Sequence, residues 1–275
     1  EIGGELGLFI AGGKGRTSRK TPEEIERLAG SLAVDPASLV YASRMAAKVD
    51  SCALQDGYQL YHHIFLFTKE GRWAVIQQGM KEESRYARRY HWLGEEVADF
   101  VCEPHAAICS QGRTRPLNLV ASESDGAREV MSKLAAEERP AELLEELHKL
   151  KTLDLPAHHP LTLEDIHPER LERIFLRTYE TKPEGFERLL GTEGVGPKTL
   201  RALSLISELI YGVAPSFRDP ARYSFAHGGK DGHPFPVDRK TYDRSIEALA
   251  RAVRRAKLGS AEELKALKRL HHAFL

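Results

Sequence analysis

The sequence has no net charge, few cysteines and no apolar run long enough to cross a membrane. Its 40 Lys and Arg residues balance 40 Asp and Glu residues, so any attraction to nucleic acid must come from local patches. Three cysteines, Cys52, Cys102 and Cys109, cannot form a paired disulfide framework, which favours a reducing compartment. Neither a signal peptide nor a membrane-length segment is visible, so we predict a cytoplasmic protein without a membrane partner.

Length and composition are those of a two-domain protein. The 275 residues are 41% hydrophobic and 29% charged, which is enough for two hydrophobic cores. A polar loop over residues 111–125 suggests a boundary near Ser124. We predict an α/β or α+β domain over residues 1–124 and an all-α helix-hairpin-helix domain over residues 125–275. The chain begins with Glu1 rather than Met, so we expect a further segment before it.

The stretch from Phe186 to Gly212 is the most informative part of the chain. A short apolar helix precedes Gly194-Val195-Gly196-Pro197-Lys198-Thr199, and a second helix follows with apolar residues at three-residue intervals. The glycines permit a tight turn, and Pro197 suits a first helical turn whose free N–H groups form an anion site. The pattern resembles the helix-hairpin-helix element, which grips a nucleic-acid phosphate without reading bases. An ordinary helix start after a glycine turn is the alternative.

A glycine-rich cationic loop is a second candidate phosphate contact. Residues 6–11 are typical of a buried strand, and Gly12-Gly13-Lys14-Gly15-Arg16-Thr17-Ser18-Arg19-Lys20 follows with four cations. Lys14 precedes Gly15 rather than Ser or Thr, so the loop is not a P-loop and no nucleotide cofactor is expected. The loop either contacts a nucleic-acid backbone or is merely solvated. Two helices are predicted after it, the second ending at Lys48.

The candidate catalytic residues surround a predicted β-hairpin. Residues 58–67 and 72–78 are rich in β-branched and aromatic side chains and are joined by a short polar link. Carboxylates beside histidines suit a metal-dependent phosphodiesterase, in which the carboxylates hold a divalent cation and a histidine assists proton transfer. The predicted catalytic residues are Asp50, Asp56, His62, His63 and Glu103. The predicted ligands of Mg²⁺ or Mn²⁺ are Asp50, Asp56 and Glu103. In the alternative interpretation, Asp56-Gly57 is an ordinary turn and the two histidines are half-buried in a sheet.

Weaker signals lie elsewhere in the chain. Cys102, His105 and Cys109 have a spacing that suits zinc, but no fourth ligand is evident nearby. A long insert over residues 213–236 contains a glycine-rich loop in which Lys230 is a candidate phosphate contact. Residues 239–275 hold ten Lys and Arg against four Asp and Glu, a local surplus of positive charge. The predicted nucleic-acid-binding residues are Lys14, Arg16, Arg19, Lys20, Gly194, Gly196, Lys198, Thr199, Lys230, Arg239 and Lys240.

Two family resemblances add to this interpretation. The hairpin, with Val237-Asp238 downstream, resembles the helix-hairpin-helix DNA glycosylase superfamily. That resemblance implies that Lys198 is a nucleophile in a lyase branch and that Asp238 activates the attack. A simple phosphate contact by Lys198 is the alternative.

The second resemblance covers nearly the whole chain, which is similar to the prokaryotic domain-of-unknown-function family numbered 763. The runs that carry it are residues 12–22, 55–63, 75–80, 87–92 and 225–232. This resemblance implies no established activity. It does imply that members carry a further segment before this one.

Three functions are therefore compatible with the sequence. The first is a repair-type, DNA-processing, metal-dependent nuclease whose hairpin holds the backbone while the first domain supplies the chemistry. The second is a DNA glycosylase or lyase that uses Lys198 and Asp238. The third is a DNA-binding protein without catalytic activity. DNA is the expected nucleic acid in all three.

Overall fold

The computed structural model describes residues 7–30, 32–84, 86–110, 112–150, 168–222, 239–255 and 259–273. Within these ranges the protein is a mixed α+β structure built on a five-stranded antiparallel sheet in the order β1-β3-β4-β5-β6. Its strands are β1 Leu8–Lys14, β3 Gln59–Thr68, β4 Trp73–Met80, β5 Ala87–Leu93 and β6 Ala107–Ser110. A second, two-stranded sheet pairs β2 Leu54–Gln55 with β7 Leu117–Asn118. The predicted β-hairpin is confirmed, because β3 and β4 pair antiparallel.

The helices that the structure describes fall into three groups along the chain. Near the amino end are α1 Thr21–Ala29 and α2 Pro36–Lys48, the second ending where the sequence predicts. The middle group is α3 Asp125–Glu137, α4 Pro140–Leu150, α5 Pro168–Thr181, α6 Gly185–Gly191 and α7 Pro197–Leu209. The last two are α8 Arg239–Arg255 and α9 Ser260–Ala273. None of the helices in the described ranges is long and apolar enough to cross a membrane.

Alternation along the strands decides which face of the large sheet is buried. Phe65 and Phe67 of β3, Val75 of β4 and Trp92 of β5 are at most 2% exposed and point to one face. Helices α1 and α2 pack on that side of β1, β3 and β4. Polar residues that share this inward face are therefore enclosed by protein and must find partners there.

A single hydrophobic cluster continues from the sheet into the helices. It includes Phe65 and Trp92 on one side of position 124 and Met131, Phe175 and Leu203 on the other. Position 124 therefore separates a part that contains the strands from a part made of helices and connecting segments, but the two parts share one core. The chain also returns to the sheet after α7, because Ser216 forms a β-bridge with Asn118.

Candidate functional site

An open cleft of about 410 Å³ lies where the carboxyl end of β1 and the start of β3 meet α1 and α2. Its lining includes a cation from the loop after β1, Arg19, and another from α2, Arg44. The polar residues that line it are Ser18, Arg19, Thr21, Ser43, Arg44, Ser51, His62, His63 and Gln77. The cleft thus brings together two features predicted from separate stretches of sequence, the cationic loop and the histidine pair.

Strand register explains why the loop and the histidines meet. In the β1–β3 pair, Gly13 lies opposite His63 and Lys14 lies opposite His62. Gly12 has a φ of +94°, and its N–H donates to Glu24 Oε2 at 2.7 Å. A Cβ at this position would lie 2.6 Å from Thr21 Oγ1 and still closer to the His63 carbonyl oxygen, so only glycine fits. The chain then turns into a 3₁₀ helix over Gly15–Lys20 beside the cleft.

A chain of hydrogen bonds runs from the cleft into the core. Ser43 Oγ lies 2.8 Å from His63 Nε2, and His63 Nδ1 lies 2.9 Å from Gln77 Oε1. Gln77 Nε2 donates to the Ala46 carbonyl at 3.1 Å and also to Asp50 Oδ2. All four side chains in this chain, those of Ser43, His63, Gln77 and Asp50, belong to residues that are at most 7% exposed.

The partners of Gln77 determine the tautomer of His63. A carbonyl and a carboxylate can only accept, so the amide nitrogen of Gln77 faces them and its oxygen faces His63. His63 must then donate from Nδ1, which leaves Nε2 to accept the hydroxyl proton of Ser43. Burial lowers the pKa of His63, although the hydrogen bond with Gln77 and the nearby charge of Asp50 act in the opposite direction. The neutral, Nε2-accepting imidazole is therefore the form that the site favours.

Asp50 is fully enclosed and receives several donors. Trp92 Nε1 donates to Oδ2 at 3.0 Å, Gln77 Nε2 donates to the same oxygen, and His105 Nε2 binds Oδ1. The carboxylate side chain is 0% exposed. Its oxygens are occupied by protein donors, so Asp50 orients neighbouring groups in this arrangement and does not face the cleft as a metal ligand.

Asp56 lies in a separate buried network. Its carboxylate accepts from Tyr90 Oη at 2.7 Å, from Arg88 Nη1 at 3.0 Å and from the Tyr58 N–H at 3.0 Å. Burial raises the pKa of Asp56, and the Arg88 charge with the hydrogen bonds from Tyr90 and Tyr58 opposes that rise. Arg88 also binds Asp219, at 2.7 Å, and that bond together with backbone N–H donors lowers the pKa of Asp219 in spite of its burial.

Glu103 lies outside the cleft. It has a φ of +46°, accepts from the Ser122 N–H at 3.2 Å, and lies 3.8 Å from Arg218 and 3.7 Å from Arg222. With His105 it lines a different and much smaller cavity. The three predicted metal ligands thus occupy three different settings, and across the described residues no group of three or more His, Cys, Asp or Glu side chains is placed to hold a metal ion.

The donor set does not fit the divalent ion expected from the sequence. Mg²⁺ and Mn²⁺ need several oxygen ligands with free lone pairs directed at one point. Asp50 and Asp56 direct theirs at protein donors, and Glu103 faces arginines. The weaker zinc candidate is not assembled either, since Cys109 is buried, with burial raising the pKa of its thiol, and His105 binds Asp50.

The stretch predicted as a hairpin forms a tight turn between two helices. Helix α6 ends at Gly191, Gly194 has a φ of +89°, and α7 begins at Pro197. Val195 is 1% exposed and plugs the turn into the core, with its N–H donating to the Thr192 carbonyl at 3.2 Å. Pro197 and Lys198 are exposed, whereas Thr199 is buried. The turn therefore presents Lys198 and the start of α7 to solvent.

Polar contacts hold this turn against the end of α2. Lys48 Nζ donates to the Val195 carbonyl, and Gln55 Nε2 donates to the Pro197 carbonyl at 2.9 Å. Arg201 Nε in turn donates to Gln55 Oε1 at 2.8 Å. Ala47, the residue before Lys48, lines the cleft. The turn and the cleft are thus adjacent along one helix.

The remaining predicted contacts are distributed around these two features. Lys14 Nζ lies 5.6 Å from the centre of the Tyr61 ring, and Arg16 and Lys20 are exposed in the loop beside the cleft. Arg239 and Lys240 are exposed at the start of α8, which is helical as predicted. Lys230 and Asp238 lie outside the described residues.

Ser43, Arg44, Gln77, Arg88 and Asp219 were not among the site residues predicted from the sequence. The sequence could have pointed to Gln77, because Gln77 occupies an inward position of β4 between Val75 and Gly79, where a polar side chain needs a hydrogen-bond partner. Nothing in the sequence pointed to Ser43, because a serine within a helix has many structural uses. The pairing of Arg88 with Asp219, 131 residues away, has no local signature.

Residues 1–237 match the family model described as Protein of unknown function (DUF763). The chain belongs to this family. The DUF763 region contains the cleft and the α6–α7 turn, whereas α8 and α9 follow it. No curated protein and no solved structure matches the chain.

Proposed function

We propose that the protein binds DNA through its phosphodiester backbone and processes it in the cleft between β3 and α2. The observation that carries this proposal is the adjacency of the α6–α7 turn and the cleft. Ala47 lines the cleft, and Lys48, the next residue, donates to the Val195 carbonyl in the turn. The same helix, α2, therefore lines the cleft and contacts the turn.

The turn has the properties of a phosphate contact. Helix α7 is 13 residues long and begins with a proline, so the first N–H groups of the helix, which have no acceptor within the helix itself, lie directly after a glycine-containing turn. Such a helix start attracts anions through its N–H groups and its dipole. The exposed Lys198 adds a positive charge there. A contact of this kind holds the backbone and does not read sequence.

The cleft has the charge that a phosphodiester requires. Arg19 and Arg44 both line it, one from the loop after β1 and the other from α2. Lys14, Arg16 and Lys20 are exposed on the same loop. Because the whole chain has no net charge, attraction to DNA must come from local groups of cations such as these. Guanidinium groups suit a phosphate because they bind two of its oxygens together.

A binding experiment tests the proposal. Fluorescence anisotropy measures the affinity for a 30-nucleotide DNA, single- and double-stranded, over a range of salt concentrations. Lys198→Ala and Arg44→Ala are expected to weaken binding and to reduce the salt slope by about one each. Lys69→Ala is the matched control, because Lys69 is an exposed cation in the turn after β3, at the opposite end of that strand from His62. Equal affinity and equal salt slope for all four proteins would overturn the proposal.

A DNA glycosylase or lyase is the second candidate function. The observation that favours it is the exposure of Lys198 at the first turn of α7, where a DNA strand held by the turn lies within reach. Asp238, its expected partner, is outside the described residues. Borohydride trapping on DNA with an abasic site is expected to give a covalent adduct that Lys198→Ala abolishes. Absence of any adduct with the wild-type protein would remove this candidate.

A further inference from the structure

The hydrogen-bonded chain of Ser43, His63, Gln77 and Asp50 is more than the fold requires. Hydrogen-bonded polar groups in a core stabilise a protein only modestly, and apolar groups of the same shape can be nearly as stable. Here four polar side chains are aligned in series between Trp92 in the core and the cleft. Ser43 and His63, at its outer end, both line the cleft.

The order of groups in this chain is that of an activated nucleophile. A hydroxyl lies 2.8 Å from an imidazole nitrogen that accepts, and a side-chain oxygen at 2.9 Å holds the other imidazole nitrogen in its protonated form. Serine, a base and an orienting group within hydrogen-bond reach are the requirements for nucleophilic catalysis by a serine. Gln77 supplies the orienting oxygen, and Asp50 holds the Gln77 amide in place.

Secondary structure holds these groups rigidly. Ser43 is on the inward face of α2, between the buried residues Ala42 and Ala46 in sequence. His63 and Gln77 lie opposite each other in the β3–β4 pair. A site on a helix and two central strands keeps its geometry better than a site on loops. The loop after β1 contributes Ser18 and Arg19 to the lining of the same cleft.

We infer that Ser43 is a nucleophile activated by His63, and that the cleft cleaves a phosphodiester through a covalent phosphoserine intermediate. The inference deepens the proposed function and rests on it for the choice of a phosphodiester as substrate. Arg19 and Arg44 take the charge of the phosphoryl oxygens, which is their part in stabilising the transition state. Gln77 lines the cleft, but its amide oxygen is held by His63 and its amide nitrogen by Ala46 and Asp50, so Gln77 and Asp50 are positioning residues that act through His63.

The reaction has two steps, and His63 carries the proton in each. Ser43 Oγ forms a bond to phosphorus while its proton moves to His63 Nε2. The bond from phosphorus to the leaving oxygen breaks, and that oxygen takes the proton. Water then attacks the phosphoserine diester and gives a proton to His63 Nε2. The bond between Ser43 Oγ and phosphorus breaks, Ser43 recovers its proton, and a phosphate monoester leaves.

The full chain is incubated with bis(p-nitrophenyl) phosphate and, separately, with a fluorescent 30-nucleotide DNA. We expect a burst of one equivalent of p-nitrophenol and an added aryl phosphoryl group that peptide mass mapping places on Ser43. Ser43→Ala is expected to lose the burst and at least about 1,000-fold of the rate. His63→Gln is expected to lose about 100-fold or more. Ser38→Ala is the matched control, because Ser38 is an exposed serine of the same helix that is not part of the cleft lining, and its hydroxyl donates to the Asp35 carbonyl at 2.8 Å.

Each result decides between outcomes. The inference would be overturned if the protein turned over a substrate with no adduct on Ser43 and Ser43→Ala left the rate unchanged. It would also be overturned if neither substrate were turned over. Mapping on the wild-type protein remains decisive even if Ser43→Ala fails to fold. Failure of the proposed function gives a different pattern, in which the small diester reacts at Ser43 but DNA is neither bound nor cleaved. Binding of DNA without any adduct leaves the proposed function standing and removes Ser43 as nucleophile.

Discussion

At the scale of single residues, Arg88 is the clearest case of a buried charge that is neutralised by neighbouring carboxylates. Its side chain is 0% exposed and binds Asp56 at 3.0 Å and Asp219 at 2.7 Å, both nearly fully buried. The pKa of Arg88 is raised, because the two carboxylates outweigh the effect of burial. Through this one side chain, β5 is tied both to the residues before β3 and to the segment after α7.

Replacing Arg88 tests how much this pairing contributes to stability. Arg88→Met leaves two buried carboxylates without their partner, so we expect a loss of about 3–5 kcal/mol in the free energy of unfolding. Urea denaturation followed by circular dichroism measures it. Arg72→Met is the matched control, because the Arg72–Glu95 pair is 70% and 57% exposed and such surface pairs contribute about 1 kcal/mol or less. Equal losses for the two variants would contradict this account.

His63 predicts how stability depends on pH. Its folded-state pKa is lowered by burial, so the unfolded chain takes up a proton first as the pH falls. Its contribution to stability is complete above the unfolded pKa of about 6.5 and is lost as the pH falls from there through the lower folded pKa.

Urea denaturation at a series of pH values between 7 and 5 measures this effect. The wild-type protein is expected to lose stability steadily over this range, and His63→Gln is expected to lose less. His91, whose pKa burial also lowers, contributes in the same direction, so a residual slope in the variant is expected. Parallel curves for wild type and His63→Gln would show that His63 has no part in the slope.

At the scale of elements, the turn from β1 into the 3₁₀ helix decides the shape of the cleft. Gly12 sits against the His63 backbone and Thr21 with a φ of +94°, a conformation that side chains other than glycine rarely adopt. The loop that follows this close approach of β1 to β3 places Arg19 in the lining of the cleft. The local sequence contains three glycines here, but only the packing shows at which of them a side chain would overlap with neighbouring atoms.

Two alanine substitutions separate the cost of steric overlap with neighbouring atoms from the cost of a left-handed backbone conformation. Gly12→Ala combines backbone strain with overlap against Thr21 and His63, so we expect a loss of about 3 kcal/mol or more in the free energy of unfolding. Gly15→Ala meets the same left-handed backbone, with a φ of +61°, but no atom within 4 Å, so about 1 kcal/mol is expected. Thermal denaturation of both variants measures the difference. Similar values would show that the close approach at Gly12 relaxes without cost.

At the scale of the whole molecule, a shared core joins the sheet to the helices. The cluster that contains Phe65 and Trp92 also contains Phe175 and Leu203, and the contacts of Lys48 and Gln55 bind the α6–α7 turn to α2. The turn therefore holds its place relative to the cleft. That fixed relation is what the proposed function needs, since a DNA strand must meet both features together.

Separating the two parts is expected to destabilise both. A fragment of residues 125–275 exposes the apolar surface that packs against the sheet, so we expect it to lack a cooperative thermal transition and to bind a hydrophobic dye. A chain ending at residue 255 is the control, because the side chains of α9 whose burial the structure describes are exposed or half-buried. Its transition is expected within a few degrees of the full chain. A cooperative transition in the 125–275 fragment would mean that the helical part has a sufficient core of its own.

The local elements of the fold could be predicted from the sequence more fully than the contacts of the candidate site. The β3–β4 hairpin, α2 and the α6–α7 turn followed from periodicity and glycine placement, which depend on neighbours in sequence. His62 and His63, which were predicted to be catalytic, both line the cleft. Asp50 and Asp56 looked like metal ligands because acidic residues near strand ends often are. Their engagement by Trp92 and by Arg88 depends on residues 42 and 32 positions away.

The sequence by itself determined the local elements of this protein, because alternation, helical spacing and glycine conformation act over a few residues. It also determined the membership of the DUF763 family and the positions of the loop cations. Only the tertiary structure decided which polar groups meet. Ser43, His63 and Gln77 come from a helix and two strands, and their hydrogen bonds form only when α2 packs on the sheet and brings these polar side chains against one another.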